Sequence, residues 1–397
     1  MKKSLATGGR LFQHVRIRGY FDAIKAMMGK ETVAVGMSGG VDSSVAAHCL
    51  LEAGHAVVGL TMTIWDDRIP VSEPVRGGCF GPGEKEDVAA ARESARRLGI
   101  PHHTVPLADE YRARVLDPFC AGYLRGITPN PCALCNPQMK FGALLRQARA
   151  QGIAFDRFAT GHYAQIRPDD SGGRMRLFRG VDREKDQSYF LARLTQEQLA
   201  TTLFPLGALR KDEVRRMAES AGLEHAAAQR ESQDFFEGAD RSVLFPEGTI
   251  EPGPILNEAG DVLGEHRGIA HYTIGQRSGL GVAARERLYV KEIRASANAI
   301  VLGPRESLLA AACGAERISW IAGAPPARAF RASVRLRYRH PGAAASVSLR
   351  DDATARIEFD EPQWAATPGQ MAVFYDGDEA LGGGWIVPPP ASQGVRR

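Results

Sequence analysis

TVAVGMSGGVDSS, residues 32–44, is the stretch whose reading decides the fold. Thr32–Met37 is a β-branched apolar run and reads as a buried strand. Ser43–Ala53 follows at helical spacing. Between them lie Gly36, Met37, Ser38, Gly39, Gly40, Val41 and Asp42. Two adjacent glycines let the backbone turn sharply and approach a ligand with no side chain in the way. The free N–H groups of such a turn, and of the helix it opens, point at an anion. Ser38, Ser43 and Ser44 add hydroxyl donors. Asp42 carries the wrong charge to face phosphate, and a magnesium ion between them would reconcile the two.

Outward from this loop, strands and helices alternate. Ala56–Met62 reads as a second strand and Glu84–Leu98 as a helix, acidic in its first turn and ending in Arg96 and Arg97. His102–Leu107 reads as a strand, Met139–Ala150 as a helix and Arg157–Ala164 as a strand. This alternation predicts an α/β fold, a doubly wound parallel sheet covered on both faces. RPDDSGGR at 167–174 reads as a surface turn. After about residue 240 glycine and proline become frequent and helical periods vanish. Ala332–Tyr338, Ala345–Leu349, Ala355–Phe359 and Met371–Tyr375 alternate with period 2, which predicts a small β-barrel. The expected organisation is a basic extension over 1–31, a nucleotide domain over 32–238, a central β-rich domain over 239–315, a C-terminal β-barrel over 316–388 and a tail over 389–397.

The chain has 397 residues and a net charge of +4, too mild to argue for a polyanionic partner by itself. No apolar run reaches the length of a membrane span. The start is basic and lacks a secretory pattern, so it reads as a short extension ahead of a cytoplasmic enzyme. The cysteines are Cys49, Cys79, Cys120, Cys132, Cys135 and Cys313, too sparse for a disulfide scaffold. Cys132 and Cys135 form C-x-x-C, stiffened by Pro129 and Pro131. A thiolate just ahead of a helix beginning at Met139 would have a lowered pKa. Half of a structural zinc site is the plainer reading, but no second ligand pair completes it.

S-G-G-x-D-S lacks the Gly-Lys-Ser/Thr ending of a Walker A loop. It resembles the PP-loop of ATP pyrophosphatases, which implies ATP cleaved between its α and β phosphates and a carbonyl oxygen adenylated. In an open α/β sheet, ligands sit beyond the carboxyl ends of strands. Met62 there packs on adenine or stays in the core. Gly161 and His162 end a later strand at the same edge, where a histidine holds phosphate or simply caps the strand.

Taken together, GMSGGVDSS (36–44), TPNPCALCN (128–136), MKFGALL (139–145), ATGHYA (159–164), KDQSYFL (185–191), YTIGQRSGLG (272–281), LRYRH (336–340) and TPGQMAVFYDG (367–377) resemble the tRNA-specific 2-thiouridylases, the MnmA family. The resemblance runs from about residue 32 to 388. It implies that ATP binds Gly36–Ser43 with Met62 and Gly161 near the adenosine. It implies further that O2 of the wobble uridine is adenylated and that a cysteine-borne persulfide delivers sulfur to C2. Cys135 matches the first catalytic cysteine. Asn130, Pro131 and Cys132 match the segment near the target base; Lys185, Asp186 and Gln187 match a tRNA-contacting turn. Arg337, Tyr338 and Gln370 match tRNA contacts in the barrel, and tRNA and a sulfur donor or carrier protein are the implied partners. Arg335, Arg337 and Arg339 alternate, which gives a phosphate-binding stripe if they share a strand.

The sequence departs from the family at one place. Glu231-Ser232-Gln233-Asp234-Phe235-Phe236 carries Phe236 where a second cysteine is expected. Either Cys132 partners Cys135, or Cys79, Cys132 and Cys135 bind a [4Fe-4S] cluster, or another sulfur donor is used or the activity is lost. Two rival readings are a PP-loop ligase acting on a small molecule and a non-catalytic tRNA-binding relative. TPNPCALCN argues against the first, and the intact loop against the second. The sequence leaves the oligomeric state open.

Overall fold

A computed structural model describes residues 30–71, 77–227, 235–238 and 240–388. Most of the expected N-terminal extension, the expected tail and Glu231–Asp234 lie outside the described residues.

The first strands are β1 (Thr32–Gly36), β2 (Ala56–Thr63), β3 (His102–Pro106), β4 (Arg157–Thr160) and β7 (Thr202–Leu203), which form a parallel sheet in the order β3-β2-β1-β4-β7. Alternate residues of β1 enter different cores. Val33 and Val35 pack with α1 (Val41–Glu52), while Ala34 joins Leu60, Val105 and Phe158 on the opposite face. Both faces are covered, so β1 reads as a continuous apolar run. The chain leaves β1 toward β2 and β3 on one side and returns to β4 on the other. The carboxyl ends of β1 and β4 therefore flank a topological switch point, where such sheets bind ligands.

α2 (Glu84–Leu98) packs on β2 and ends at Gly99, whose left-handed conformation (φ 68°) closes it. The cysteine helix starts earlier than the periodicity suggested. Asn130 accepts a hydrogen bond from Ala133 N–H (3.2 Å) and caps α3 (Pro131–Cys135), with Pro131 in its first turn. A π-helical stretch, Asn136–Ala143, then leads into α4 (Leu144–Ala150). The cysteines are thus inside one helical rod and not ahead of it.

The stretch read as a surface turn joins two strands, β5 (Ala164–Pro168) and β6 (Met175–Arg179). A central antiparallel-rich sheet follows, β10-β11-β8-β9, from β8 (Gly253–Leu256), β9 (Val262–His266), β10 (Tyr289–Arg294) and β11 (Ala299–Gly303). The last domain is a closed barrel of β12 (Leu309–Trp320), β13 (Ala329–Arg335), β14 (Ala343–Asp351), β15 (Thr354–Trp364), β16 (Met371–Asp376) and β17 (Glu379–Val387). Its order is β12-β15-β14-β13-β16-β17, and β12–β17 pairing closes it. β6 also pairs with β17, through Phe178 with Glu379 and Leu177 with Ala380, so the hairpin of the first domain extends the barrel sheet. β16 is buried on both sides: Met371, Val373 and Tyr375 join the core shared with the first domain, and Ala372 and Phe374 fill the barrel.

The expected arginine stripe does not form. β13 ends at Arg335, and Arg337 and Arg339 lie in the turn beyond it. Arg335 turns inward, donating to Asp186 (2.9 Å), to the His340 carbonyl (2.9 Å) and to the Tyr338 carbonyl. Asp186 is buried and also accepts from Gly180 N–H and Ser188 N–H.

Candidate active site

The loop Gly36–Ser43 sits at the switch point. Gly39 has φ 80°, and a β-carbon there would lie 2.5 Å from the Asp87 carbonyl oxygen, so only glycine fits. Gly161, after β4, closes the other side; a β-carbon on it would stand 2.6 Å from the Asp42 carbonyl carbon. Ser38 is exposed, and its N–H donates to Ser43 Oγ (3.2 Å). Ser43 Oγ in turn donates to the Gly40 carbonyl (3.0 Å). Met37 and Val41 bury their side chains behind the loop, leaving their backbone to a ligand. Ser44 does not serve as a ligand donor. Helical periodicity turns it inward, where its hydroxyl bonds the Gly40 carbonyl and Ser94 (2.9 Å).

Asp42 brings a correction. Lys211, the first residue of α5 (Lys211–Ser220), is buried, and its Nζ lies 2.8 Å from each Asp42 carboxylate oxygen. The Tyr163 hydroxyl donates to Asp42 Oδ1 (2.7 Å). A protein cation therefore answers the Asp42 charge, and the side chain does not fit the magnesium-ligand role inferred for it. Sequence reasoning passed over Lys211, which lies 169 residues away in a helix that reads as a charged surface.

Met62, half-buried, lies near the end of β2 and packs against the core beneath the sheet edge. His162 takes the capping role. Its Nδ1 lies 2.6 Å from Thr160 Oγ1, and its ring lies between Phe141 and Phe204 at 6.0 and 5.9 Å. Burial, with Lys140 nearby, holds its pKa well below the usual value, so it is a neutral core residue and not a phosphate contact.

The rod that carries the cysteines reaches the same edge through Phe141, whose ring lies 6.0 Å from that of His162. Cys135 is buried, and burial pushes its pKa up to about 12, with Lys140 acting the other way. The lowered thiol pKa expected from the sequence is thus reversed, because the thiol sits inside the rod, against the core, and not at its N-terminus. Cys132 is half-buried one turn earlier, and Cys79 is exposed. Cys79 lies on a glycine-rich loop pinned by two sets of bonds. Cys79 N–H and Phe80 N–H both donate to the Phe235 carbonyl (3.2 and 3.0 Å). The buried Glu237 carboxylate accepts from Gly77 N–H (3.3 Å) and Gly83 N–H (2.8 Å), the latter at the start of α2. Phe236 pairs with Phe80 as an isolated parallel bridge and is itself buried. The position expected to hold a second thiol is therefore part of an aromatic wall, with Cys79 on the loop beside it. Among the described residues no group of three or more His, Cys, Asp and Glu side chains is placed to hold a metal ion. Cys79, Cys132 and Cys135 thus do not fit an iron–sulfur ligand set as they stand, one thiol being exposed and another sunk in the core.

The segment before the cysteines is held by the barrel. Thr128 N–H donates to the Pro368 carbonyl (2.9 Å), and Gln370 Nε2 to the Thr128 carbonyl (3.1 Å). Gln370 is thereby engaged in holding this segment, and Asn130 in capping it. Asp186 is occupied by Arg335, and Gln187 Oε1 accepts from Tyr163 N–H (3.0 Å). Lys185 is half-buried on the turn before them. Arg337 lies over the Trp364 ring (5.6 Å), and Tyr338 packs on Phe190 (4.6 Å). Three buried polar atoms near the cysteines have no hydrogen-bond partner: Tyr111 Oη, Thr128 Oγ1 and Asn136 Oδ1. Such orphans are uncommon and call for a cause.

Three family models match the chain. A tRNA methyl transferase HUP domain covers residues 31–236, a tRNA methyl transferase PRC-barrel domain 243–304 and an aminomethyltransferase β-barrel domain 311–386. Among curated proteins, the tRNA-specific 2-thiouridylase MnmA of Endomicrobium trichonymphae is 41% identical over 359 residues, covering 89% of this chain and 98% of its own. The protein of the same name from Trichormus variabilis is 43% identical over 358 residues, with the same coverage. That of Magnetococcus marinus is 42% identical over 362 residues, covering 90% and 99%. Among solved structures, U34-tRNA thiolase NcsA from Methanococcus maripaludis with its [4Fe-4S] cluster shares 19% identity at a TM-score of 0.33, covering 55% of this chain and 67% of that one. A superposition that loose bears on neither the fold nor the chemistry.

Proposed function

The chain belongs to the family of tRNA-specific 2-thiouridylases, and from that premise we propose how its residues use ATP to exchange the O2 of a tRNA uridine for sulfur. The observation that carries the proposal is the joint placement of the Gly36–Ser43 loop and the cysteine rod at one sheet edge. Backbone N–H groups of the loop, with the Ser38 and Ser43 hydroxyls, receive the β and γ phosphates. Lys211 neutralises Asp42 beside the loop, so the phosphates meet the loop N–H groups without an unanswered carboxylate next to them. Magnesium accompanying ATP is held by phosphate oxygens and water, not by Asp42.

Uridine O2 attacks the α phosphorus, pyrophosphate departs, and C2 becomes electrophilic. The outer sulfur of a Cys135 persulfide then attacks C2, and AMP leaves. A second thiol attacks the Cys135 sulfur, which leaves sulfur on C2 as the thiocarbonyl and forms a disulfide. An outside thiol reductant reopens that disulfide. Cys132, one turn before Cys135, is the second thiol in this reading, with Cys79 within the same neighbourhood. No step is assigned to an iron–sulfur cluster. Lys185, Arg337 and Tyr338 face tRNA in this reading, while Asn130, Asp186, Gln187 and Gln370 hold the protein together.

The test is nucleoside mass spectrometry on an unmodified tRNA transcript incubated with the protein, ATP and a persulfide donor. Formation of 2-thiouridine that Cys135→Ser abolishes is expected. Pyrophosphate release indifferent to tRNA, with no thiolated nucleoside, would sink the proposal and favour a small-molecule ligase.

A further inference from the structure

Tyr111 is the residue that the reaction as written leaves without a purpose. It ends a short helix, Ala108–Tyr111, and runs straight into a π-helical segment, Arg112–Leu116. The cysteine helix α3 packs against that segment. The Tyr111 ring is stacked on Phe80 with centroids 5.3 Å apart, and Phe80 in turn lies beside Phe235 at 5.9 Å and Phe236 at 6.4 Å. The residue is only 1% exposed. Its ring is therefore fixed by the aromatic wall that replaces the expected second cysteine.

The hydroxyl has no partner. A buried donor left unmade is normally removed by substitution with phenylalanine, which fills the same space. The surroundings show what this one faces. Burial is the main reason its pKa lies well above the ordinary value, and the groups that add to the effect are Cys79, Cys135, Cys132 and Glu84. The helix that carries Cys132 and Cys135 packs on the segment that Tyr111 opens, and those two thiols, with Cys79, are close enough to act on the phenol electrostatically. Lys140 is a basic group that favours the Cys135 anion, while burial works against a sulfur anion at that position.

We propose that the Tyr111 hydroxyl is the hydrogen-bond donor for the reacting sulfur, holding the outer sulfur anion of the Cys135 persulfide after loading and until it attacks C2. A charged acceptor makes the stronger kind of hydrogen bond, and it satisfies an O–H that the unloaded protein leaves bare. The donor keeps its proton throughout, so the bonds made and broken are those of the sulfur transfer already described. Phe236 belongs to the same arrangement: the aromatic wall that displaced a thiol is what presses the Tyr111 ring into place. The assignment rests on Cys135 being the sulfur carrier.

Tyr111→Phe removes one oxygen atom and nothing else. In single-turnover reactions with tRNA, sulfur appearance at C2 is expected to fall about ten- to hundredfold, the loss of one hydrogen bond to a charged group. Tyr111 does not touch the ATP loop, so tRNA-dependent pyrophosphate release should stay within twofold. Cyanide-labile sulfur on Cys135 should decay faster in the variant, and its melting temperature should be unchanged or higher. An unaltered sulfur-transfer rate and unaltered persulfide lifetime, together with a raised melting temperature, would make Tyr111 a bare structural hydroxyl and overturn the proposal. Equal losses in pyrophosphate release and sulfur transfer would also overturn it, as damage to the fold. Failure of the wild-type protein to make 2-thiouridine would instead strike the functional reading itself, whichever way Tyr111→Phe behaves.

Discussion

Lys211 carries its ammonium into the protein to meet Asp42, and neither residue advertises the other in the sequence. The loop glycines are legible because a left-handed turn and a close backbone approach admit almost nothing else. The lysine is not, since a buried and a solvated lysine look alike until the fold brings a carboxylate to one of them. The same blindness affected Cys135, where position along the chain suggested an activated thiolate and burial gives the opposite. Arg335 and His162 also changed roles once burial was known. Lys211→Met should test the pairing directly. The Asp42 side chain keeps 30% exposure, so urea denaturation should show a loss of about 2 kcal/mol, below the ~3–5 of a fully buried pair. ATP-dependent pyrophosphate release should fall at least tenfold, and retention of full release would remove Lys211 from the site.

The cysteine rod is the element whose boundaries were least legible. A C-x-x-C followed by apolar periodicity looks like a loop before a helix. In the folded chain Asn130 caps the rod and Pro131 begins it, a local signal that only cap chemistry reveals. What precedes the cap owes its shape to distant residues. Gln370 fixes the Thr128 carbonyl from the barrel loop, a contact that no local pattern announces. Gln370→Ala should cost about 1 kcal/mol of stability. Sulfur transfer should drop several-fold while tRNA-stimulated pyrophosphate release stays near normal, measured side by side in one reaction. Equal loss of both would mean that the contact serves tRNA docking. Among strands, the short alternating runs of the barrel were readable, but β12 and β17 were not. Their small residues, such as Ala310–Ala312 and Gly382–Gly384, carry little periodic contrast.

At the scale of the whole molecule, the parallel sheet followed from strand–helix alternation, while the joining of the domains did not. That joining is made by the Asp186–Arg335 pair, whose side chains are 3% and 11% exposed, and by the pairing of β6 with β17. Removing one member should be far worse than removing both. Arg335→Met strands a buried carboxylate and should lower the unfolding free energy by about 3–5 kcal/mol, with Asp186→Asn in the same chain recovering a large part. Chemical denaturation followed by fluorescence checks both, and additive losses would show that the two groups do not act as a pair. The β6–β17 junction also has a consequence for biogenesis. β6 leaves the ribosome roughly two hundred residues before the strand that completes it, which at ~5–20 residues per second is a wait of about 10–40 s. Throughout that interval the nascent first domain displays an open strand edge and an apolar surface meant for Met371, Val373 and Tyr375. Completion of the first domain therefore waits for the strand that closes the barrel, and its yield in the cell will depend on how that edge is shielded during synthesis.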